Sequence, residues 1–212
     1  MRESETVVRT VTQSQRFRWR GAVGVVILVP AFLVTLFSAP VVVAGSRLDL
    51  LVNVLAWMSF VAGAAMRFWA TLFIGGRKDK VLMTDGPYSI CRNPLYLGSL
   101  LLMVAAGLFF KGLMFVAALL VVAAVYLLTT VPAEEEYLRA RHGDEFDRYW
   151  ASVPCVIPSL RAFRTAAQIE VNVHTLRLEC SRASRWIWLP LIGLGVACLR
   201  SAPWWPTFFT LP

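Results

Sequence analysis

Six side chains able to do chemistry fall into two short stretches. Tyr88, Arg92, Asn93 and Tyr96 lie within GPYSICRNPLYLG, Gly86 to Gly98; Glu134 and Glu135 lie within PAEEEYL. A carboxylate can pair with a ligand ammonium or accept from a ribose hydroxyl. A tyrosine face attracts an ammonium or sulfonium cation for about 0.5–2 kcal/mol. Pro94 suits the first turn of a helix, where the backbone N–H groups have no intrahelical partner and can meet a ligand. The same residues also suit anchoring: belt tyrosines, an arginine that sets topology, and acids that complement a helix dipole. Residue chemistry alone leaves both readings open.

The elements that carry these residues are set by composition. The chain has 212 residues, 58% of them hydrophobic and 16% charged, with a mean hydropathy of +0.62. That excess exceeds the norm for water-soluble domains and makes lipid the solvent for much of the surface. The net charge of +8 does not point to nucleic acid, because the arginines sit at the ends of apolar runs, where they meet headgroups. Cys91, Cys155, Cys180 and Cys198 form no CxxC pair, and His142 and His174 are the only histidines. No metal site is expected from such spacing, and the cysteines read as reduced, packed side chains. No GxGxxG, GxxxxGK[ST], GxSxG or HExxH pattern is present, so the common soluble nucleotide folds and hydrolases have no support.

Four apolar runs follow in order. Residues 21–44 form the first, too long for a cleaved signal core and carrying Pro30 as an expected kink. After a turn at Gly45-Ser46-Arg47 the second run covers 48–74 and contains Arg67, which either snorkels to the interface or faces a polar cavity. A third run over 94–110 and a fourth over 113–131 are separated by Lys111-Gly112, which predicts a hairpin. Pro132 is expected to stop or kink the fourth helix. Within 160–185, Leu160, Phe163, Ala167 and Val171 fit a helical stripe, while Ile169, Val171 and Val173 alternate like a strand. A surface-lying basic helix is the preferred reading, and Trp186–Leu199, apolar but short for a span, reads as a short fifth helix or a re-entrant piece. Seventeen of the 21 Lys and Arg fall in residues 1–20, 75–94 and 132–185. By the positive-inside rule these three segments, the amino terminus among them, are cytoplasmic. Both polar stretches then meet on one membrane face.

The expected fold is therefore all-α: a polytopic bundle of four to five transmembrane helices with interfacial helices at the cytoplasmic side. The expected division is a tail over 1–20, a hairpin over 21–74, a core over 75–158 and an amphipathic segment with a short membrane helix over 159–212.

GPYSICRNPLYLG, followed after a helical hairpin by EEEYL, HGDEFDRYW and the VP and IP pairs, resembles the isoprenylcysteine carboxyl methyltransferase-like family of integral membrane methyltransferases. Phospholipid N-methyltransferases are similar in arrangement. The resemblance runs from about Arg67 to Pro158 and implies an enzyme that binds S-adenosylmethionine without a Rossmann fold. It implies cofactor contacts from Lys80, Val81, Leu82, Met83, Tyr88, Asn93, Pro94, Leu95, Tyr96 and Glu134. Arg92, Asn93 and Glu135 are the implied catalytic or supporting residues. Arg67 is expected to line the substrate path.

Asn93 stands where the family has histidine; it can hydrogen-bond but cannot titrate near neutrality. Thr130 stands where prenylcysteine enzymes carry an arginine for the substrate carboxylate. The implied reaction is methyl transfer to a lipophilic small-molecule or lipidated acceptor that enters from the surrounding lipids: carboxyl O-methylation by resemblance, with N- or S-methylation as alternatives. A sterol-reductase-like NADPH enzyme and a non-catalytic membrane scaffold are the other classes.

Overall fold

The computed structural model describes residues 22–76 and 81–209. The amino-terminal segment and Lys80 lie outside the described residues. Among the described residues the chain is all-helical, with one isolated bridge between Ser38 and Phe209 as its only extended pairing.

Helix α1, Ala22–Leu36, passes through Pro30 without a break. It ends well before Ala44, the end of its apolar run. The Ser38 hydroxyl donates back to the Val34 carbonyl, the Ala39 amide donates to the Phe209 carbonyl, and Pro40 has no N–H to donate. Helix α2, Arg47–Ile74, opens on a reciprocal cap: Ser46 accepts from the Asp49 amide, and Asp49 accepts from the Gly45 amide. A one-turn helix α3, Pro87–Ile90, leads to α4, Pro94–Phe110. Lys111 in the left-handed region (φ 48°) and Gly112 then form the turn that the sequence predicts.

After that turn the chain is helical from Leu113 to His142. Helix α5, Leu113–Val125, widens into a π segment, Tyr126–Thr130, and resumes as α6, Val131–His142. Pro132 therefore neither stops the helix nor ends the run. The widened turn just before it gives room to a residue that lacks an N–H and crowds the preceding carbonyl. Helix α7 is Asp144–Ser152, α8 is Val173–Trp186 and α9 is Trp188–Arg200. The helix expected within 160–185 begins only at Val173; a single 3-10 turn at Leu160–Ala162 and irregular backbone precede it.

Among the described residues two helices, Arg47–Ile74 and Leu113–His142, are long and apolar enough to cross a bilayer; Ala22–Leu36 and Pro94–Phe110 are apolar but shorter. Only 11% of the most apolar stretch of the first and 33% of the second are buried within the protein. A soluble core helix would be mostly covered. These faces instead need an apolar solvent.

Helices α2 and α4 pack backbone to backbone where Gly63 faces Gly98. A Cβ on Gly98 would stand 2.9 Å from the Gly63 carbonyl oxygen and 2.5 Å from the Arg67 Cγ. Arg67 has little freedom to retreat. Its Nε and Nη2 each hold Glu179 at 2.8 Å, its Nη1 donates to Ser99, and its guanidinium lies 5.1 Å from the Trp186 ring. Gly98→Ala is expected to lower the stability of the solubilised protein by about 1–3 kcal/mol, the usual cost of overpacking. Thermal unfolding in detergent measures it, and a wild-type midpoint would contradict the close-packing account.

Glu179 is only 1% exposed, so α8 is not merely a surface helix: one carboxylate of it is bound into the bundle. At the opposite end Arg200 of α9 donates to the carbonyls of Ser38, Ala39, Phe110 and Lys111. That fork ties α9 to the exit of α1 and the end of α4. Helix α9, short for a span, packs along α4, with Gly193 against Phe109.

Candidate functional site

The segment between α2 and α4 is shaped by its backbone. Gly86 has φ +59°, and a Cβ there would meet the Phe73 ring at 2.4 Å, so only glycine fits the turn into α3. From there Tyr88 points inward and is buried; Cys91 is buried beside it. The Tyr149 hydroxyl of α7 donates to the Tyr88 carbonyl at 2.7 Å and fixes the short helix from below.

A cavity of about 240 Å³ opens between this segment, the end of α2 and helices α4, α6 and α7. Its wall includes Val81, Leu82, Met83, Tyr88, Arg92, Asn93, Pro94, Leu95, Tyr96 and Glu134. Nine of the ten residues proposed from sequence as cofactor contacts are thus on one wall; the tenth, Lys80, is outside the described residues. Ile74, Tyr137, Leu138 and Tyr149 complete the lining. These four were not foreseen, although Phe146, Tyr149 and Val153 repeat at helical spacing within and after DEFDRYW and pack as one cluster with Leu82.

Glu135 stands beside the cavity. Arg92 Nε donates to its Oε1 at 2.9 Å and Nη2 to its Oε2 at 3.4 Å, while Nη1 donates to the carbonyls of Trp150 and Val153. The Trp150 indole and the Asn93 amide also donate to Glu135, and Asn93 donates to the Cys155 carbonyl. The guanidinium lies 5.1 Å from the Trp150 ring. Arg92, Asn93 and Glu135 therefore form a latch that ties the start of α4 to α6 and to the end of α7.

Arg67 does not line the cavity; it serves the Glu179 pair behind it and reaches the Leu95 carbonyl at 3.4 Å. Thr130 lies in the π segment, one turn before Glu134, and is not on the cavity wall.

One polar feature favours an ordered ligand. The Tyr88 hydroxyl is buried with no hydrogen-bond partner, a state that costs free energy until a ligand supplies one. Burial first, then the nearby Tyr149 and Glu134, pushes the Tyr88 phenol above its ordinary range, so it stays protonated and able to donate. Burial likewise raises the Cys91 thiol to about 11, partly offset by a hydrogen bond from the Asn93 backbone. That thiol is inert packing at neutral pH, not a nucleophile. Among the described residues no group of three or more His, Cys, Asp or Glu could hold a metal ion.

Comparison with known proteins agrees with this geometry. Residues 41–145, which carry α2, the buried segment, α4 and the glutamates, match the family described as phospholipid methyltransferase. The chain is also 32% identical over 146 residues to the nickel-cobalt-cadmium resistance protein NccN of Alcaligenes xylosoxydans xylosoxydans, covering 69% of this chain and 68% of that one.

The chain belongs to the phospholipid methyltransferase family.

This is the family of membrane methyltransferases that the sequence resembles. A second relative, the cobalt-zinc-cadmium resistance protein CzcN of Cupriavidus metallidurans, is 32% identical over 130 residues, which is 61% of this chain and 57% of that protein. No solved structure matches the chain at a significant level. Methyltransferases of the phospholipid methyltransferase family generally use S-adenosylmethionine. The donor set suits that molecule: a carboxylate (Glu134), tyrosine rings (Tyr88, Tyr96) and an unpartnered phenol share one cavity wall.

Proposed function

We propose that the protein is an integral membrane methyltransferase that holds S-adenosylmethionine in the cavity between α4, α6 and α7. The cofactor supplies an electrophilic methyl group on a sulfonium centre. The carrying observation is that Tyr88, whose buried hydroxyl has no hydrogen-bond partner, and Glu134 line one cavity. Glu134 would accept hydrogen bonds from the cofactor's polar groups, the Tyr88 hydroxyl would donate one, and the rings of Tyr88 and Tyr96 would stabilise the cation. Arg92, Asn93 and Glu135 act by position: they lock the start of α4 and keep Pro94 and Leu95 on the wall. The apolar lining of Val81, Leu82 and Leu95 excludes water from the reacting centre.

The acceptor in this reading is lipophilic and arrives from the bilayer. The family description favours a phospholipid amine; the sequence resemblance favours a carboxylate; a thiol fits the same cavity. Thr130, with its buried and unpartnered hydroxyl, lies one turn from Glu134 toward the membrane and is the residue we assign to the acceptor side. Arg67 supports that side through its contact with Leu95. The cavity faces the cytoplasm, by the distribution of Lys and Arg.

The names of both relatives concern metal resistance. We read a part for this chain in such a system as modification of a membrane component rather than as metal chelation, since its described residues group no metal ligands.

Membranes containing the protein, incubated with methyl-labelled S-adenosylmethionine, are expected to yield one labelled lipid-soluble product, identified by mass spectrometry. Absence of both labelled product and S-adenosylhomocysteine binding would overturn the enzyme reading.

A further inference from the structure

The segment from Val153 to Arg164 does two things at once. On its inner side it satisfies the backbone of the site loop. The Arg164 carbonyl accepts from the Gly86 amide at 2.8 Å and from the Ser89 hydroxyl at 3.1 Å, and the Arg164 amide donates back to that hydroxyl. The Ser159 amide donates to the Ile90 carbonyl, and the amides of Arg92 and Asn93 donate to Pro154 and Cys155. On its outer side the same segment presents large apolar residues. Ile157 is 82% exposed, Leu160 77% and Phe163 50%. Water is a poor solvent for three such side chains so close together.

Depth can be read from α2. Its 28 residues are about 42 Å long at ~1.5 Å per residue, against a hydrocarbon core of roughly 30 Å. Each end therefore extends about 6 Å into the headgroup layer. Trp69 lies about 7.5 Å along the axis from Ile74, at the edge of the hydrocarbon, where membrane tryptophans concentrate. The Phe163 ring packs on Trp69 at 6.1 Å between centroids. The strap thus meets the bundle at interface depth. Arg161 and Arg164 alternate with its apolar residues; Arg161 is exposed, and Arg164 is 61% exposed with one bond to Asp85.

We infer that residues 153–164 form a strap seated in the interfacial layer, with Ile157, Leu160 and Phe163 among the upper acyl chains and Arg161 and Arg164 at anionic phospholipid headgroups, and that this seat holds the Gly86–Asn93 loop in shape. The strap couples the site loop to the bilayer surface. This rests on the membrane seat proposed above but not on methyl transfer.

The test uses the full chain in nanodiscs of mixed zwitterionic and anionic phospholipid, with Cys180 and Cys198 replaced by serine. A spin label is attached at Leu160→Cys, with Val54→Cys on α2 and Arg148→Cys on α7 as lipid and water references, and the unsubstituted background subtracted. Leu160→Cys is expected to collide several-fold more with oxygen than with a water-soluble nickel chelate, as Val54→Cys does. If it behaves like Arg148→Cys while Val54→Cys stays in lipid, the strap lies in water and the inference fails, with the membrane reading intact. An immobilised label that neither reagent reaches would mean a protein partner and also overturn it. Hydrogen exchange supplies the second arm. Amides of 86–93 are expected to exchange roughly tenfold faster in Leu160→Glu/Phe163→Glu, and severalfold faster in purely zwitterionic nanodiscs. Unchanged exchange in both would sever the strap from the site loop.

Discussion

Glu134→Ala is expected to weaken S-adenosylhomocysteine binding by roughly ten- to a hundredfold in titration calorimetry on purified protein. A hydrogen bond to a charged group contributes about 1.5–3 kcal/mol, and each ~1.4 kcal/mol is a factor of ten in affinity. Glu134 lines the same cavity as Tyr88, whose hydroxyl is unpartnered, and the proposed ligand would span both residues. Glu134→Gln keeps the shape and one acceptor and loses the charge, so its binding should fall between wild type and alanine. Tyr88→Phe removes only the orphaned donor. Its apo protein should be as stable as wild type or more so, because a buried unsatisfied hydroxyl is gone, while binding weakens. That opposite movement of stability and affinity separates a ligand contact from a packing residue. Wild-type affinity in both Glu134→Ala and Tyr88→Phe would remove the cofactor clamp.

What the sequence disclosed depended on how local the signal was. Helix α4 was legible to the residue, because Pro94 fixes its start and Lys111-Gly112 its end. The meeting of Arg92 with Glu135 was legible indirectly: a short hairpin connection returns the chain to the same face, whatever the details of packing. The exit of α1 was not. The run remains apolar to Ala44, and although Ser38 and Pro40 are local signals, the contacts from Phe209 and Arg200 that hold the chain out of the helix after Leu36 come from far along the sequence. The Arg67–Glu179 pair was hidden for a related reason. Glu179 sits among arginines in a polar stretch, so its pattern is that of a solvated helix, while its burial is decided by a partner 112 residues earlier. The π segment was likewise invisible. Pro132 announces a disturbance, but whether the helix breaks or widens depends on its neighbours.

Arg92→Ala is expected to be the most destabilising single change in the site, by about 3–5 kcal/mol, because it strands the Glu135 carboxylate in a mostly covered position. The Arg92 and Glu135 side chains are only 10% and 15% exposed. The carbonyls of Trp150 and Val153 lose their donor as well. Bond length does not decide such an effect. Arg139 and Asp147 are closer, at 2.6 Å, but 47% and 54% exposed, and breaking that pair should cost at most about 1 kcal/mol. Arg92→Lys retains the charge but not the planar fork, and cannot reach Glu135 and both carbonyls together. It should recover less than half of the loss.

The double variant Arg92→Ala/Glu135→Ala removes the stranded charge. It should be less destabilised than the sum of its single variants, by about 0.5–3 kcal/mol. Unfolding free energies of the four proteins in mixed micelles give this coupling directly. Strict additivity would mean that the latch is a surface pair, and that the site loop is held by the strap and by Tyr149 alone.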